Sequence, residues 1–199
     1  MPDLEADWTS SNAYQIHQFE IEVEYTFNLK ELYKRLHFYF EDEEWTDLFG
    51  MQNYEVRYWQ RDKPDGLQEH HIWWRMYKIP GNQNLKNDFF KYFIKLDYQT
   101  LATKRVEHMH KGKKWNIYKS NTILRVEGHL IINWDGWNKG LLGGMKGAFN
   151  QWLYKDKIKW HEDQLYMEVG RLYNVIKDFL ELTKDAELEP NIYPPNMLP

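Results

Sequence analysis

One apolar stripe near the C-terminal end most constrains how this chain can fold. Over residues 151–182, apolar side chains recur at three-, four- and seven-residue spacing: Ile158, Leu165, Val169, Leu172, Ile176 and Phe179. This spacing predicts one long amphipathic helix with a single core-facing side. Burial of each such side chain contributes about 1.5–3 kcal/mol before entropy is counted, so the stripe has to pack on another element.

The residues before this helix predict the element on which it packs, because apolar and polar side chains alternate there. A period of two is typical of half-buried β-strands. Such segments lie at 19–27, 54–59, 72–76, 89–98, 103–110, 115–118 and 124–134. Turn residues at 63–66 and 111–113 separate neighbouring strands, and Gly128 inside the last strand predicts a bulge or a sharp bend.

Two short helices are predicted after the first strand. Asn28 suits an N-cap, Glu31 completes a capping box, and apolar residues follow at helical spacing. A second short helix is expected at 45–49, ended by Gly50.

The sequence therefore predicts one α+β domain at residues 17–183. In it, a bent antiparallel sheet of about six or seven strands wraps around one long C-terminal helix. Residues 1–16 are expected to form an N-terminal arm. Residues 184–199 hold four of the seven prolines and are expected to form an irregular tail.

Charge and composition narrow the function classes. The net charge of −4 argues against sequence-independent nucleic-acid binding, which needs a dominant basic face. The chain has no cysteine, starts with an acidic and polar segment, and contains no run of eighteen apolar residues. These features predict a cytoplasmic protein with no transmembrane segment. Aromatic residues form 17% of the chain, which favours either a β-rich core or a surface of rings for a ligand or nucleic acid.

The predicted order of elements resembles a known fold. A strand, two short helices, about six antiparallel strands and one long helix, at 17–182, resemble the helix-grip fold of the START and polyketide-cyclase (SRPBCC) superfamily. The basic turn at 111–114 and the final helix are similar to those of small uncharacterised archaeal proteins. Members of the superfamily include lipid carriers, hormone receptors, ring-closing cyclases and partner-binding proteins. Their catalytic residues differ between branches, so the resemblance implies none for this chain.

The resemblance implies a cavity between the sheet and the C-terminal helix that holds an apolar or aromatic ligand. The strand patterns place large apolar side chains with a few polar tips on the inner face, as small-molecule sites require. The residues predicted to line the cavity are Tyr58, Trp74, Met76, Tyr92, His108, Trp134, Leu165, Val169 and Leu172. No catalytic residue, cofactor or metal site is predicted.

Histidines are the residues weighed for other chemistry. His108 and His110 lie two apart on a predicted strand and point the same way, so they could form half of a metal site. The alternative is that His110 reaches solvent while His108 packs beside Val106. The adjacent pair His70 and His71 points to opposite faces and is predicted to be structural. His129 is expected to be a solvated cross-strand partner.

The leading functional hypothesis is a non-enzymatic domain that binds a small molecule or lipid. One alternative is a cyclase- or hydrolase-type enzyme that uses His108 or a cavity tyrosine as acid or base. The other is an interaction domain whose core is filled by its own side chains. For a protein partner or a second copy of the chain, the outer sheet face with Trp59, Trp73 and Tyr77 would be the contact surface.

Overall fold

The computed structural model describes residues 13–24, 26–81, 89–110, 113–133 and 155–188. Their elements, in chain order, are β1 (Ala13–Val23), β2 (Thr26–Phe27), α1 (Leu29–Asp42), β3 (Glu55–Asp62), β4 (Gln68–Lys78), β5 (Phe90–His110), β6 (Lys113–Ile132) and α2 (Lys155–Leu188). These strands form one antiparallel sheet in the order β1-β6-β5-β4-β3, and β2 also pairs with β6. The predicted α+β class, with an antiparallel sheet and a long C-terminal helix, is confirmed.

A long hairpin of β5 and β6 replaces four of the predicted strands. The two strands have 21 and 20 residues, and they pair from Phe90 and Ile132 to His110 and Lys113. The sequence predicted breaks because side-chain alternation is interrupted near 99–102 and 119–123. In β5 that interruption is a shift of register between Leu101 and Lys104, which bends a strand without ending it.

Helix α1 starts where the sequence predicts. The side chain of Asn28 accepts a hydrogen bond from the backbone N–H of Glu31 at 3.3 Å, which satisfies one of the free donors at the helix N-terminus. The buried side of α1 consists of Leu32, Leu36 and Phe40.

The second short helix predicted at 45–49 is wrong. Thr46 instead forms an isolated antiparallel bridge with Tyr77 of β4. The carboxylate of Asp47 accepts backbone N–H groups at 2.8 and 2.7 Å in the turn that follows. The bridge to β4 and the Asp47 carboxylate thus satisfy backbone groups of this segment. A helix would therefore add no hydrogen bonds for these groups.

The ordered elements of the domain extend further at both ends than the sequence predicts. Strand β1 begins at Ala13, which pairs with Ile131, so 13–16 belong to the sheet rather than to an arm. Helix α2 continues to Leu188, so 184–188 are helical rather than part of an irregular tail. The other residues of the predicted arm and tail, 1–12 and 189–199, lie outside the described residues.

Both helices pack on one face of the sheet, and the hydrophobic core lies between them and that face. Helix α2 packs on β1, β2 and β6. Helix α1 packs on β4, where the ring of Tyr33 meets that of Trp74 edge-on at 4.8 Å. The sheet therefore has a covered inner face and a second, outer face.

Gly128 of β6 lies where α2 approaches the sheet. A Cβ atom at this position would be 2.6 Å from Cγ2 of Val169, which is closer than van der Waals contact allows. The irregularity predicted here is present in the partner strand, since β1 shifts register between Gln15 and His17 opposite Gly128.

Candidate functional site

The residues predicted to line one cavity between the sheet and α2 lie in several separate places in the structure. Five of them lie in the hydrophobic core, each at most 2% exposed: Met76, Tyr92, Leu165, Val169 and Leu172. These five line neither of the cavities described below, whereas Tyr58 and Trp74 line one each. The side chain of His108 and the whole of Trp134 lie outside the described residues.

An open cavity of about 590 Å³ lies between the first turns of α1 and the β3–β4 hairpin. This volume is within the range of small-molecule sites. Its wall is part apolar and part polar, and the described residues that line it are Leu29, Lys30, Tyr33, Tyr58, Gln60, Gly66, Gln68, His70, Ile72 and Thr103.

A smaller hollow of about 20 Å³ adjoins this cavity. Leu29, Tyr33 and Ile72 line both spaces. The other described residues around the hollow are buried and mostly apolar: Leu32, Leu36, Trp74, Leu96 and Tyr98. The cavity therefore changes from a mixed wall at its mouth to an apolar wall at its inner end.

Two buried polar groups beside the hollow have no partner in hydrogen-bond geometry among the described residues. They are Nε1 of Trp74 and the hydroxyl of Tyr98. Leaving a buried polar group unpaired costs about 1–3 kcal/mol, so native structures rarely tolerate it without a reason. Both residues line the hollow, whose volume has room for about one water molecule. At looser geometry, Trp74 also interacts with the hydroxyl of Tyr33, and Thr122 with that of Tyr98.

The inner face of the sheet becomes polar where it meets the cavity. Thr100 Oγ1 lies 3.1 Å from the backbone N of His70, 2.8 Å from Nδ1 of His70 and 3.0 Å from Oγ1 of Thr103. The hydroxyls of Ser120 and Thr122 lie 2.7 Å apart on the neighbouring strand. All five residues are at most 5% exposed. We call them the hydroxyl cluster; His70 and Thr103 are its members that line the cavity.

A bulge in β5 brings Thr103 to the hydroxyl cluster. Residues an odd number apart on a regular strand point to opposite faces, so Thr103 would point away from Thr100. The register shift and the positive φ of 52° at Ala102 reverse this, and Thr103 is 1% exposed on the inner face. A single backbone irregularity thus places a hydroxyl in the cavity wall.

We expect Ala102→Gly to stabilise the protein. A left-handed conformation costs a residue with a Cβ atom about 1–2 kcal/mol, whereas glycine loses about 0.4–1 kcal/mol through the entropy of the unfolded chain. Ala102 is exposed, so its methyl group contributes little packing. Thermal unfolding should show a melting temperature about 2 °C higher for Ala102→Gly and a lower one for Ala102→Val. A lower melting temperature for the glycine variant would contradict the strained bulge.

Lys30 carries the only formal charge among the described residues that line the cavity. The carboxylate of Asp62 is nearby but engaged, because Oδ1 accepts hydrogen bonds from Nε2 of Gln68 at 2.8 Å and of Gln60 at 3.3 Å. These bonds orient both amide side chains at the mouth. The described wall therefore offers a cation and several hydrogen-bonding groups, and no carboxylate.

Tyr33 joins α1 to the edge strand β3 across the cavity. Its hydroxyl donates to Oε2 of Glu55 at 2.8 Å. Burial, followed by this carboxylate, raises the pKa of Tyr33 well above its ordinary value, so the hydroxyl stays protonated and keeps donating.

His70 is the cavity residue that sequence analysis missed as a candidate. It was predicted to be structural because His71 beside it points to the other face, and the two do point apart. The sequence did contain a pattern that indicates the position of His70. This residue continues, with a period of two, the inner-face series of Ile72, Trp74 and Met76. Burial lowers the pKa of His70, which favours the neutral imidazole.

A half-buried histidine joins α2 to the sheet. Nδ1 of His161 lies 2.8 Å from the hydroxyl of Tyr92, and its ring centroid is 4.0 Å from that of Phe90. Burial, followed by the charge of Lys157, lowers the pKa of His161 to about 4. The imidazole is then neutral at pH 7, and the Tyr92 hydroxyl donates to Nδ1.

We expect His161 to make stability depend on pH. Its pKa in the folded protein, about 4, lies below the ordinary value of 6.5, so the unfolded chain binds more protons between these values. The free energy of unfolding should therefore fall as the pH is lowered from 6.5 to 4. His161→Gln keeps a hydrogen-bond acceptor but does not titrate, so denaturant midpoints measured against pH should fall less steeply for this variant. Parallel profiles for the two proteins would contradict the assignment.

The outer face differs from the partner surface that the sequence predicts. Tyr77 is 5% exposed, and its ring stacks on Phe93 with centroids 4.7 Å apart. Trp59 remains 39% exposed, and Trp73 is half-buried with the guanidinium of Arg57 4.7 Å from its ring centroid. Of the three predicted contact residues, Tyr77 is therefore closed to a partner.

His129 on the same outer face is buried rather than solvated. It is 8% exposed and lies beside Phe93, with ring centroids 5.8 Å apart. Burial lowers the pKa of His129, and the carboxylate of Glu127 at 3.3 Å partly opposes this. The prediction of a solvated partner failed because the ring of Phe93 on the neighbouring strand lies beside the imidazole.

Within the described ranges, no group of three or more histidine and acidic side chains is arranged to hold a metal ion. The side chains of His108 and His110 fall outside those ranges. None of the described helices is long and apolar enough to span a membrane. No protein-family model matches this chain, and a search of curated proteins finds no significant match.

Proposed function

We propose that this domain binds a small amphipathic molecule in the cavity between α1 and the β3–β4 hairpin. The observation that carries the proposal is an open cavity of about 590 Å³ that adjoins an apolar hollow. Small-molecule sites combine apolar walls with a few placed polar groups, and this cavity has both.

The cavity wall suggests how such a molecule would lie. Its apolar part would contact Leu29 and Ile72 and extend toward Trp74. Its polar part would stay near Lys30, the glutamines and His70 at the hydroxyl cluster.

The proposed site is not where the family resemblance implies one. The resemblance puts the ligand between the sheet and the C-terminal helix, where Leu165, Val169 and Leu172 are fully buried. We propose, from the order of elements, that the chain is a divergent helix-grip domain whose ligand lies under α1 instead. Its cytoplasmic location stays a prediction from composition.

A ligand panel tests the binding function. Fatty acids, sterols and flat aromatic acids should be screened for a rise in melting temperature, because a ligand selective for the folded state stabilises it by mass action. Leu29→Trp adds a large side chain where the cavity and the hollow meet, and should abolish the rise. Ile158→Trp is the matched control, since Ile158 is also half-buried on a helix but does not line the cavity.

The proposal fails if no panel member raises the melting temperature of the unmodified protein. It also fails if Leu29→Trp folds and binds as tightly as Ile158→Trp, because the ligand would then lie elsewhere. Native mass spectrometry of protein purified from its own source would identify a resident molecule directly.

The second candidate function is catalysis in the same cavity. His70, Tyr33 and Tyr58 all line it, and histidine and tyrosine are common acid–base groups. Mass analysis of the ligand after incubation distinguishes the two functions. A binding domain returns it unchanged, whereas an enzyme returns a product whose formation is lost in His70→Gln.

A further inference from the structure

The hydrogen bonds of Thr100 define which nitrogen of His70 carries the proton. A hydroxyl has two lone pairs and one hydrogen. Oγ1 of Thr100 accepts the backbone N–H of His70 and the hydroxyl of Thr103, at 3.1 and 3.0 Å. Both lone pairs are then used, so the hydrogen of Thr100 points at Nδ1 of His70, 2.8 Å away. Nδ1 is therefore the acceptor, and the proton of the neutral ring is on Nε2.

Nε2–H of His70 is a donor without a partner. No described residue hydrogen-bonds to it, although His70 is only 5% exposed and lines the cavity. Burial lowers the pKa of this imidazole and favours the neutral form that the hydrogen bonds require. This nitrogen is not among the fully buried unpaired atoms of the described residues, so it lies at the accessible wall of the cavity. A donor that is held in one orientation at an open wall is placed for a ligand to accept its hydrogen bond.

The charges around the cavity indicate which chemical group of a ligand would accept the hydrogen bond from Nε2–H of His70. Lys30 is cationic, and the described lining residues include no acid. Asp62 is held by two amide groups and Glu55 by the Tyr33 hydroxyl. A carboxylate in the cavity would thus meet a donor and a cation, whereas a cationic ligand would be repelled by the charge of Lys30.

Resting on the binding function proposed above, we propose that the ligand is a carboxylic acid with an apolar body. Its carboxylate accepts a hydrogen bond from Nε2–H of His70 and lies toward Lys30. Its body occupies the apolar end of the cavity between Leu29 and Ile72. Thr100 is a positioning residue, because it acts on the ligand only by fixing the imidazole.

Matched acids and esters test this inference. Binding of dodecanoic acid and 2-naphthoic acid should be compared with that of their methyl esters by calorimetry. We expect each acid to bind about tenfold more tightly than its ester, since hydrogen bonds to charged groups are the stronger ones. His70→Leu should lower the affinity for the acid about tenfold and that for the ester by much less, because an ester carbonyl is the weaker acceptor. His70→Gln, which keeps an amide N–H near the position of Nε2, should retain most of the affinity for the acid.

Nitrogen-15 NMR of the free protein gives an independent test. Long-range spectra should show His70 with a protonated Nε2 and an unprotonated Nδ1, and His70→Gln assigns its signals among those of the eight histidines. Thr100→Val should change this tautomer ratio. A protonated Nδ1 in the unmodified protein would overturn the inference, and so would equal affinity for acid and ester.

The outcomes separate this inference from the binding function. If acid and ester bind equally and Leu29→Trp blocks both, the cavity binds ligands but the carboxylate assignment is wrong. If neither binds, the binding function and the carboxylate assignment both fail. An acid preference that His70→Leu abolishes, in a variant that still folds and binds the ester, supports both.

Discussion

Leu172→Asp should unfold the domain or strongly lower its stability. Leu172 lies on the core-facing side of α2 and is 0% exposed. Truncating a buried leucine to alanine already costs about 2–5 kcal/mol, and burying an unpaired carboxylate adds to that cost. A total near 5 kcal/mol is comparable with the whole stability of a typical domain, which is about 5–15 kcal/mol.

Far-UV and near-UV circular dichroism would measure this effect. We expect the Leu172→Asp protein to lose its near-UV signal at 25 °C, or to melt about 10–20 °C lower than the unmodified protein. Asn174→Asp is the matched control, because it adds the same charge two residues away at an exposed position of the same helix. Melting of Leu172→Asp close to that of this control would contradict the packing of α2 on the sheet.

Gly128→Ala should destabilise the protein by forcing α2 away from β6. The new Cβ atom would lie 2.6 Å from Cγ2 of Val169, with Cδ1 of Leu165 at 3.8 Å on another side. Val169 cannot move aside by rotation, because a β-branched side chain in a helix is nearly restricted to one rotamer. The helix or the strand has to shift instead, and overpacking of this kind costs about 1–3 kcal/mol.

A double-mutant cycle isolates this contact. Gly128→Ala is expected to lower the melting temperature by about 4–8 °C, and Val169→Ala to lower it through a lost side chain. The double variant should be more stable than the sum of the two losses predicts, because truncating Val169 makes room for the new methyl group. Additive losses would contradict a direct clash.

Gly170→Ala is the control for replacing a glycine. Gly170 lies in α2 one residue from Val169, and a Cβ atom there meets nothing within 4 Å. Alanine is the better helix former by about 0.8–1 kcal/mol, so this variant should be more stable than the unmodified protein. The same chemical change should thus have opposite effects on stability at these two positions, because only the Cβ atom at Gly128 meets a neighbouring side chain.

His129 on the outer face and the hydroxyl cluster show two features of the structure that side-chain alternation in the sequence does not predict. Period-two alternation tells which residues share a face, and it correctly groups His70 with Ile72 and Trp74. It cannot tell how well a face is covered, so His129 was expected to be solvated. It also cannot predict a bulge, because the shift at Ala102 turns Thr103 to the face opposite the one that regular alternation gives.

The position of the cavity was beyond sequence analysis for a related reason. Tyr58 and Trp74 were predicted to line one cavity between the sheet and the C-terminal helix. In the structure, Tyr58 lines the cavity beside α1, and Trp74 lines the hollow that adjoins it. Periodicity could not show that α1, rather than α2, stands over the open part of the sheet. That depends on how closely each helix approaches, which is decided by side chains from elements far apart in sequence.

The sequence by itself determined the local features of this protein: the amphipathic seam of α2, the Asn28 cap of α1 and the alternation that makes the sheet. Each depends on residues within a few positions of one another, and local sterics and hydrogen bonds are enough to set them. The tertiary structure alone decided that Gly128 meets Val169, that Thr103 turns inward to Thr100, and that His70 lines the cavity with a free Nε2–H. Those outcomes depend on packing between distant segments, and packing is a property of the folded whole.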